Sequence, residues 1–216
     1  MAQRARFIAF EGIDGSGKTT QMYLLAEMLR AKGLTVYETS EPTKGPIGCL
    51  IRQMMSRRIE GNHETIAALF VADRLDHLLN STDGILAKLH QGITVLTDRY
   101  YFSSYAYHSV HMDMDWVINA NEICARILRP DLNIFLDMEP ERCMNRLERT
   151  RLHYDLYEDV QNMRKVQENY IKAIKQLETL EQVVTVDADR AGDVISEEIW
   201  SSVYPLVFGN SQLPAL

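Results

Sequence analysis

Residues 12 to 19 read Gly-Ile-Asp-Gly-Ser-Gly-Lys-Thr, which contains Gly12-x-x-x-x-Gly17-Lys18-Thr19. Each residue type answers a need of a bound polyphosphate. Glycines reach positive φ and let backbone N–H groups approach phosphate oxygens. A helix opening at this point aims its positive dipole end at the same anion. Lys18 adds a mobile charge for β- and γ-phosphates, and the Thr19 hydroxyl suits Mg²⁺. The pattern predicts nucleoside triphosphate binding with Mg²⁺ through Gly12, Ile13, Asp14, Gly15, Ser16, Gly17, Lys18, Thr19 and Thr20. It leaves the class of reaction open. A guanine-specifying Asn-Lys-x-Asp is absent from the sequence, and 216 residues is short for a mechanical ATPase.

Two further sets of residues have chemistry to offer. Asp98-Arg99-Tyr100 follows the apolar run "ITVLT". At the carboxyl end of a parallel strand, where ligands gather, Asp98 would orient Mg²⁺ and Arg99 would grip a phosphate with two N–H groups. A strand-end salt bridge reads equally well from the dipeptide alone. In "ALFVADRLDHL", Phe70 and Arg74 are four residues apart. On a helix they share a face, so the ring could stack on a nucleobase while the guanidinium donates to its carbonyl. Plain core for Phe70 and a surface charge for Arg74 fit the same spacing.

The elements that must position these groups follow from patterning. "RFIAFEG", "LTVYETSE", "ITVLTDR", "DLNIFLDM" and "QVVTVDA" are short, near-continuous apolar runs. Longer helical patterns separate them: "KTTQMYLLAEMLRAKG", "GPIGCLIRQMMSRR", "HETIAALFVADRLDHLLNS", "GILAKLHQG", "DWVINANEICARILR", "PERCMNRLERTR", "DVQNMRKVQENYIKAIKQLE" and "DVISEEIWSSVYPLVF". Alternation of this kind predicts βαβ units and strands covered on both faces. The expected architecture is a single three-layer α/β domain over residues 1–209, with about five parallel strands flanked by helices. The polar segment 210–216 reads as a flexible tail.

Composition narrows the field. The chain is 46% hydrophobic and 25% charged, an ordinary globular balance, with a net charge of −7. An acidic chain is a poor match for nucleic acid as principal partner, though a local cationic pocket still suits a small phosphorylated ligand. Cys49, Cys124 and Cys143 are odd in number and lack metal-type spacing, which predicts reduced thiols in a cytoplasmic protein. The apolar run in "MAQRARFIAFEG" is too short for a signal peptide, and no stretch approaches a membrane span.

Taken together, Gly12–Thr19, "SEPT" (40–43), Phe70-x-x-x-Arg74, "DRYYFSSYAY" (98–107) and "DLYE" (155–158) occur in an order and spacing that resembles the thymidylate kinase family. The resemblance runs from about residue 5 to 190. It implies the P-loop kinase fold and transfer of the γ-phosphoryl of ATP to dTMP, giving ADP and dTDP. By resemblance, Phe70 stacks on thymine and Arg74 bonds its O4. Arg99 holds the acceptor 5′-phosphate, and Ser104 and Tyr107 line the base and sugar pocket. Asp14 meets the 3′-hydroxyl, Tyr157 crowds the 2′ position, and Glu41 supports the acceptor loop. Lys18, Arg99 and a mobile arginine stabilise the transferring charge, with Mg²⁺ held at Thr19 and Asp98.

One branch of the family carries its mobile basic residue inside the P-loop. Here that position is Gly15. The other branch places it in a lid, and "NRLERTRLHYD" within an expected lid around 142–160 offers Arg146, Arg149 and Arg151. "VDADR" (186–190) fits the segment that flanks adenine. A homodimer is also implied, compatible with apolar residues on several faces of helix 63–81. Three departures from the family's usual residues stand out: Ser40 for arginine before "EP", Leu156 for arginine before "YE", and His108 for glutamine after "AY". The first two remove positive charge near phosphates, and Lys44 offers a replacement for the first. Two alternatives stay open: a kinase for another acceptor such as dUMP, and a regulatory protein that binds ATP without turning it over.

Overall fold

The structure, a computed structural model, describes residues 4–148 and 159–209. Five parallel strands form one sheet: β1 (Phe7–Glu11), β2 (Val36–Ser40), β3 (Thr94–Asp98), β4 (Leu132–Asp137) and β5 (Val183–Asp187), in the order β2-β3-β1-β4-β5. Each expected strand is present. β1 is buried throughout and pairs with both β3 and β4. Its continuous apolar run is what a central strand with helices on both faces requires. Phe7, Ile8 and Phe10 are fully buried, each stabilising the fold by about 1.5–3 kcal/mol relative to exposure.

The helices among the described residues are α1 (Lys18–Ala31), α2 (Pro46–Met55), α3 (His63–Leu79), α4 (Ile85–His90), α5 (Tyr101–His108), α6 (Met114–Ile127), α7 (Pro140–Glu148), α8 (Val160–Gln176) and α9 (Gly192–Phe208). α5 was not expected as a helix. Its residues "YFSSYAYH" are nearly all buried, so no polar face marks a helical period. It packs against α8, α6 and α3. Phe7 meets Tyr100 edge-to-face with ring centroids 5.1 Å apart, and the Asn169 side-chain amide donates to the Ala106 carbonyl at 3.0 Å.

Register sets the stage for the site. Phe10 of β1 and Ser40 of β2 both pair with Asp98 of β3. The Arg99 N–H donates to the Phe10 carbonyl at 2.9 Å, and the Glu41 N–H to the Asp98 carbonyl at 3.0 Å. Three strands therefore end level, and the chain segments leaving them meet at one edge of the sheet. The strand order changes direction at β1, the topological position where ligands bind in such sheets.

Of the apolar residues Ile66, Leu69, Phe70, Val71, Leu75, Leu78 and Leu79 on helix 63–81, Ile66 and Leu78 lie in the core and Val71 and Leu75 pack against it. Leu79 alone of the seven is exposed. The expected lid begins on α7. Residues 149–158, which hold Arg149, Arg151, Leu156 and Tyr157, and the tail 210–216 lie outside the described residues.

Candidate active site

The segment after β1 turns through Gly12 (φ 141°), Gly15 (φ 85°) and Gly17 (φ 99°) before α1 begins at Lys18. A side chain on Gly12 would place Cβ 2.6 Å from the Leu136 carbonyl oxygen, so only glycine fits. Lys18 is buried and its Nζ donates to the Ile13 carbonyl at 2.9 Å, folding the amine over the loop. Burial pushes the Lys18 amine down and the Arg99 charge reinforces this, against the opposing pull of Asp14, Asp98 and Glu11. An amine under those opposing demands gains from a phosphate neighbour.

Thr19 and Asp98 face each other. The Thr19 hydroxyl donates to Asp98 Oδ2, while Asp98 Oδ1 is buried and has no hydrogen-bond partner among the described residues. A hydroxyl beside a carboxylate with an unspent oxygen fits Mg²⁺. No group of three or more His, Cys, Asp and Glu able to hold a metal occurs among the described residues.

Arg99 sits at φ 78°, a left-handed backbone that aims its side chain across the mouth of the P-loop. Its Nη2 pairs with Asp14 Oδ1 at 2.7 Å and donates to the Tyr107 hydroxyl at 3.0 Å. Its Nη1 donates to Ser103 Oγ at 3.0 Å and to the Gly12 carbonyl at 3.3 Å. The Tyr107 hydroxyl in turn donates to Asp14 Oδ2 at 2.9 Å. Burial pushes the Asp14 carboxyl up, but the Arg99 and Lys18 charges outweigh it and hold the group well below the usual carboxylate range.

Beneath this layer lies Glu11, which closes β1 and is 1% exposed. Oε1 accepts from the Tyr100 N–H at 2.8 Å. Oε2 accepts from Ser103 Oγ at 2.6 Å and from the Tyr170 hydroxyl at 3.0 Å. Burial dominates and pushes the carboxyl up to about 7 despite these donors and the Arg99 charge. Glu11, Ser103 and Tyr170 thus brace Arg99 from below. Sequence reasoning missed all three. A carboxylate ending an apolar strand was a visible signal for Glu11, whereas nothing marked Tyr170 among the residues of α8.

The segment after β2 is gripped by α3. Asp73 accepts from the Thr43 N–H at 2.7 Å and the Thr43 hydroxyl at 2.6 Å. Glu41 is buried between Arg74 (2.7 Å) and His77 (3.0 Å). Arg74 is 1% exposed. Its Nε donates to Glu41 at 2.8 Å, Nη1 donates to Asn121 Oδ1, and Nη2 donates to the Tyr100 carbonyl at 3.2 Å and Ser104 Oγ at 3.1 Å. Arg74 therefore stands behind the wall, holding Glu41 and Ser104, with one Nη1 hydrogen uncommitted.

Among the cavities that open on these elements, two share a wall. One, of about 770 Å³, is lined by Phe70, Ser104, Tyr107, His108, Glu41 and residues of α2. The other, of about 500 Å³, is lined by Gly15, Gly17, Lys18, Thr19, Thr20 and Arg146. Asp14, Ser40, Glu41 and Arg99 line both. Arg146, exposed on α7, donates from Nη1 to the Gly15 carbonyl at 3.4 Å. Asp14, Lys18, Arg99 and Arg146 are thus brought together, and Phe70, Ser104, Tyr107 and Glu41 gather in the neighbouring cavity. The Val186–Arg190 segment forms the end of β5 and the turn after it.

Comparison with known proteins agrees with this geometry. A family model described as thymidylate kinase matches residues 10–199. A probable thymidylate kinase of Pyrococcus horikoshii is 40% identical over 175 residues, covering 78% of this chain and 82% of that one. One of Thermococcus kodakarensis is 36% identical over 195 residues, covering 83% and 92%. One of Methanosphaera stadtmanae is 33% identical over 201 residues, covering 91% and 96%. The chain belongs to the thymidylate kinase family.

Proposed function

We propose that the chain transfers the γ-phosphoryl of ATP to the 5′-phosphate of dTMP, giving ADP and dTDP. The observation that carries this is the shared wall of two cavities: Asp14 and Arg99 face both. One cavity has the P-loop as its floor and the other an aromatic and hydroxyl lining. An ATP-binding protein without turnover has no use for the second. Family membership supports the acceptor as dTMP.

Phosphoryl transfer asks a protein for position and charge more than for covalent chemistry. An oxygen of the acceptor phosphate bonds to the γ-phosphorus as the bridging P–O bond to ADP breaks. Lys18 and the P-loop N–H groups hold the donor. Arg99, braced by Asp14, Ser103 and Tyr107, holds the acceptor phosphate in line. Because Arg99 is fixed before substrate arrives, little reorganisation is needed as charge spreads over the transferring group. Thr19 and Asp98 would hold Mg²⁺, which when bound neutralises charge on the β- and γ-phosphates. Phe70 and Ser104 receive the base, with Arg74 behind them, and Asp14 and Tyr107 receive the sugar. Tyr157 belongs with the sugar by resemblance.

Arg146 borders the donor cavity and, with Arg149 and Arg151, is assigned to the lid. Closing that lid excludes water and limits hydrolysis of ATP. We also read the chain as a homodimer. Trp116 and Ile123 on α6 are each 45% exposed and seven residues apart, so they share one face. No described helix is long and apolar enough to cross a membrane. A cytoplasmic setting suits three free cysteines, of which Cys49 is exposed. Phosphorus NMR of the chain mixed with ATP, Mg²⁺ and dTMP tests the reaction. Equal growth of ADP and dTDP signals supports it, and inorganic phosphate as sole product contradicts it.

A further inference from the structure

Glu11 lies beneath Arg99, and its Oε2 meets only hydroxyls. Ser103 Oγ is 2.6 Å away and the Tyr170 hydroxyl 3.0 Å. The two hydroxyl oxygens are themselves 2.8 Å apart, and either can donate to the other. Both accept from Arg99 Nη1, at 3.0 and 3.4 Å. The Tyr170 hydroxyl also reaches the Gly12 carbonyl at 3.3 Å. Counting hydrogens shows two complete arrangements. With Glu11 ionised, Ser103 and Tyr170 both donate to Oε2. With Oε2 protonated, Glu11 donates to Ser103, Ser103 to Tyr170, and Tyr170 to the Gly12 carbonyl. Arg99 Nη1 keeps Ser103 as an acceptor in both, and no heavy atom has to move. A carboxylate held by guanidinium or amine donors has no such second arrangement, because those partners only donate.

We propose that Glu11 takes up a proton from solvent when the acceptor's phosphate docks on Arg99. The inference rests on the dTMP kinase reading and deepens it. Around Glu11 stand Arg99 after β3, Lys18 opening α1, Asp14 of the P-loop, Tyr107 of α5 and Tyr170 of α8. Two cations there face two carboxylates, so a dianionic phosphate leaves the cluster negative. One carboxylate is not free to protonate: Asp14 pairs directly with Arg99 at 2.7 Å. Burial pushes its carboxyl up, but the Arg99 and Lys18 charges outweigh burial and keep it ionised. Glu11 is the carboxylate whose hydrogen-bond partners among the described residues include no cation. Burial has already brought it up to about 7, against Ser103, Arg99, Tyr100 and Tyr170. A phosphate added above it raises that value further, because like charge disfavours the ionised form. By linkage, a proton gained on binding makes the affinity for dTMP fall as pH rises above about 7.

The test is calorimetric titration of the full-length native chain and of Glu11→Gln with dTMP, in buffers of different ionisation enthalpy. Glutamine keeps an acceptor for the Tyr100 N–H and puts a permanent donor where the protonated carboxyl would stand. At about pH 8 the native chain should take up at least about half a proton per dTMP bound, and Glu11→Gln none. The native Kd should rise about fivefold between about pH 7 and pH 8, while that of Glu11→Gln stays within about twofold. A purely structural role would shift Kd equally at every pH and leave the proton count unchanged in the variant, which overturns the proposal. Difference infrared spectra of the native chain need no variant. Adding dTMP should produce a protonated-carboxyl band and remove a carboxylate band, and absence of that exchange overturns the proposal. A native chain that binds dTMP without taking up a proton overturns this inference alone. A native chain that neither binds dTMP nor transfers phosphate to it overturns the kinase reading, and the proposal with it.

Discussion

A Cβ added to Gly15 would lie 2.6 Å from the carbonyl oxygen of Cys143. The backbone of α7 therefore occupies the space that a side chain inside the P-loop would need. The same helix brings Arg146 to the Gly15 carbonyl. Loop and helix are alternatives for one job, and the proposed lid assignment gives it to the helix. Gly15→Ala must push α7 away and also hold φ near 85°, at a cost of about 1–2 kcal/mol for an L-residue. Steady-state kinetics should show kcat/KM for ATP falling at least about tenfold in Gly15→Ala. In an alanine series over Arg146, Arg149 and Arg151, at least one variant should lose kcat about 100-fold. No loss beyond a few-fold in any of the three contradicts the lid assignment.

Arg99 is held by five partners before any ligand arrives. Its fork is matched to a phosphate's geometry, which a lysine's point charge does not reproduce. Arg99→Ala should raise the KM for dTMP and lower kcat, cutting kcat/KM about 100- to 1,000-fold. Arg99→Lys should recover only part of that loss. The KM for ATP serves as the control and should move less than about threefold. Equal effects on both substrates would show that Arg99 supports the fold rather than the acceptor.

Glu11 makes stability depend on pH. Its folded value, about 7, lies above its ordinary 4.5, so the folded chain binds the proton more tightly than the unfolded chain. The contribution is fully present below pH 4.5 and is lost as pH rises through about 7. At about 1.4 kcal/mol per pH unit, this amounts to about 3 kcal/mol. Asp14 has the opposite sign, but its contribution is lost only as pH falls below the ordinary carboxylate range. Urea unfolding at intervals from pH 4.5 to 8 should therefore show native stability falling relative to Glu11→Gln. Parallel curves would remove Glu11 as the cause.

Arg74 and Glu41 are each about 1% exposed at the side chain. Removing one partner leaves a buried charge uncompensated, which typically costs about 3–5 kcal/mol. Arg74→Met should lower Tm by about 10 °C in a chain of this size. Pairing it with Glu41→Gln should recover more than half of the loss, because the stranded carboxylate is gone. Additive losses in thermal melts of the double variant would show that the two residues do not depend on each other.

The parts of the site that were legible in the sequence are those whose local pattern is their chemistry. Gly12 to Thr19 announces itself because turn, charge and hydroxyl lie within eight residues. β1 was legible because burial on both faces leaves Phe7 to Phe10 as an unbroken apolar run. The edge strands β2 and β5 are partly exposed and carry polar residues, and were read from the helices that flank them. Arg74 shows the limit. Its spacing from Phe70 was visible, but its commitment to Glu41, Asn121 and Ser104 depends on residues between 30 and 47 positions away. Tyr170 lies 159 residues from Glu11, yet donates to its carboxylate. α5 escaped for a different reason: burial on every side erases the amphipathic period by which a helix is recognised.

The central claim is that one wall, built from Asp14 and Arg99, joins a triphosphate site to a thymidylate site. ADP release, measured with ATP and Mg²⁺ against dTMP, dUMP, ribo-TMP, dCMP, dGMP and AMP, tests it most directly. The structure predicts dTMP as the acceptor with the highest kcat/KM, and loss of transfer to all of them in a folded Lys18→Ala variant. A purine or cytosine acceptor ranking first, or ADP release that needs no acceptor, would contradict it.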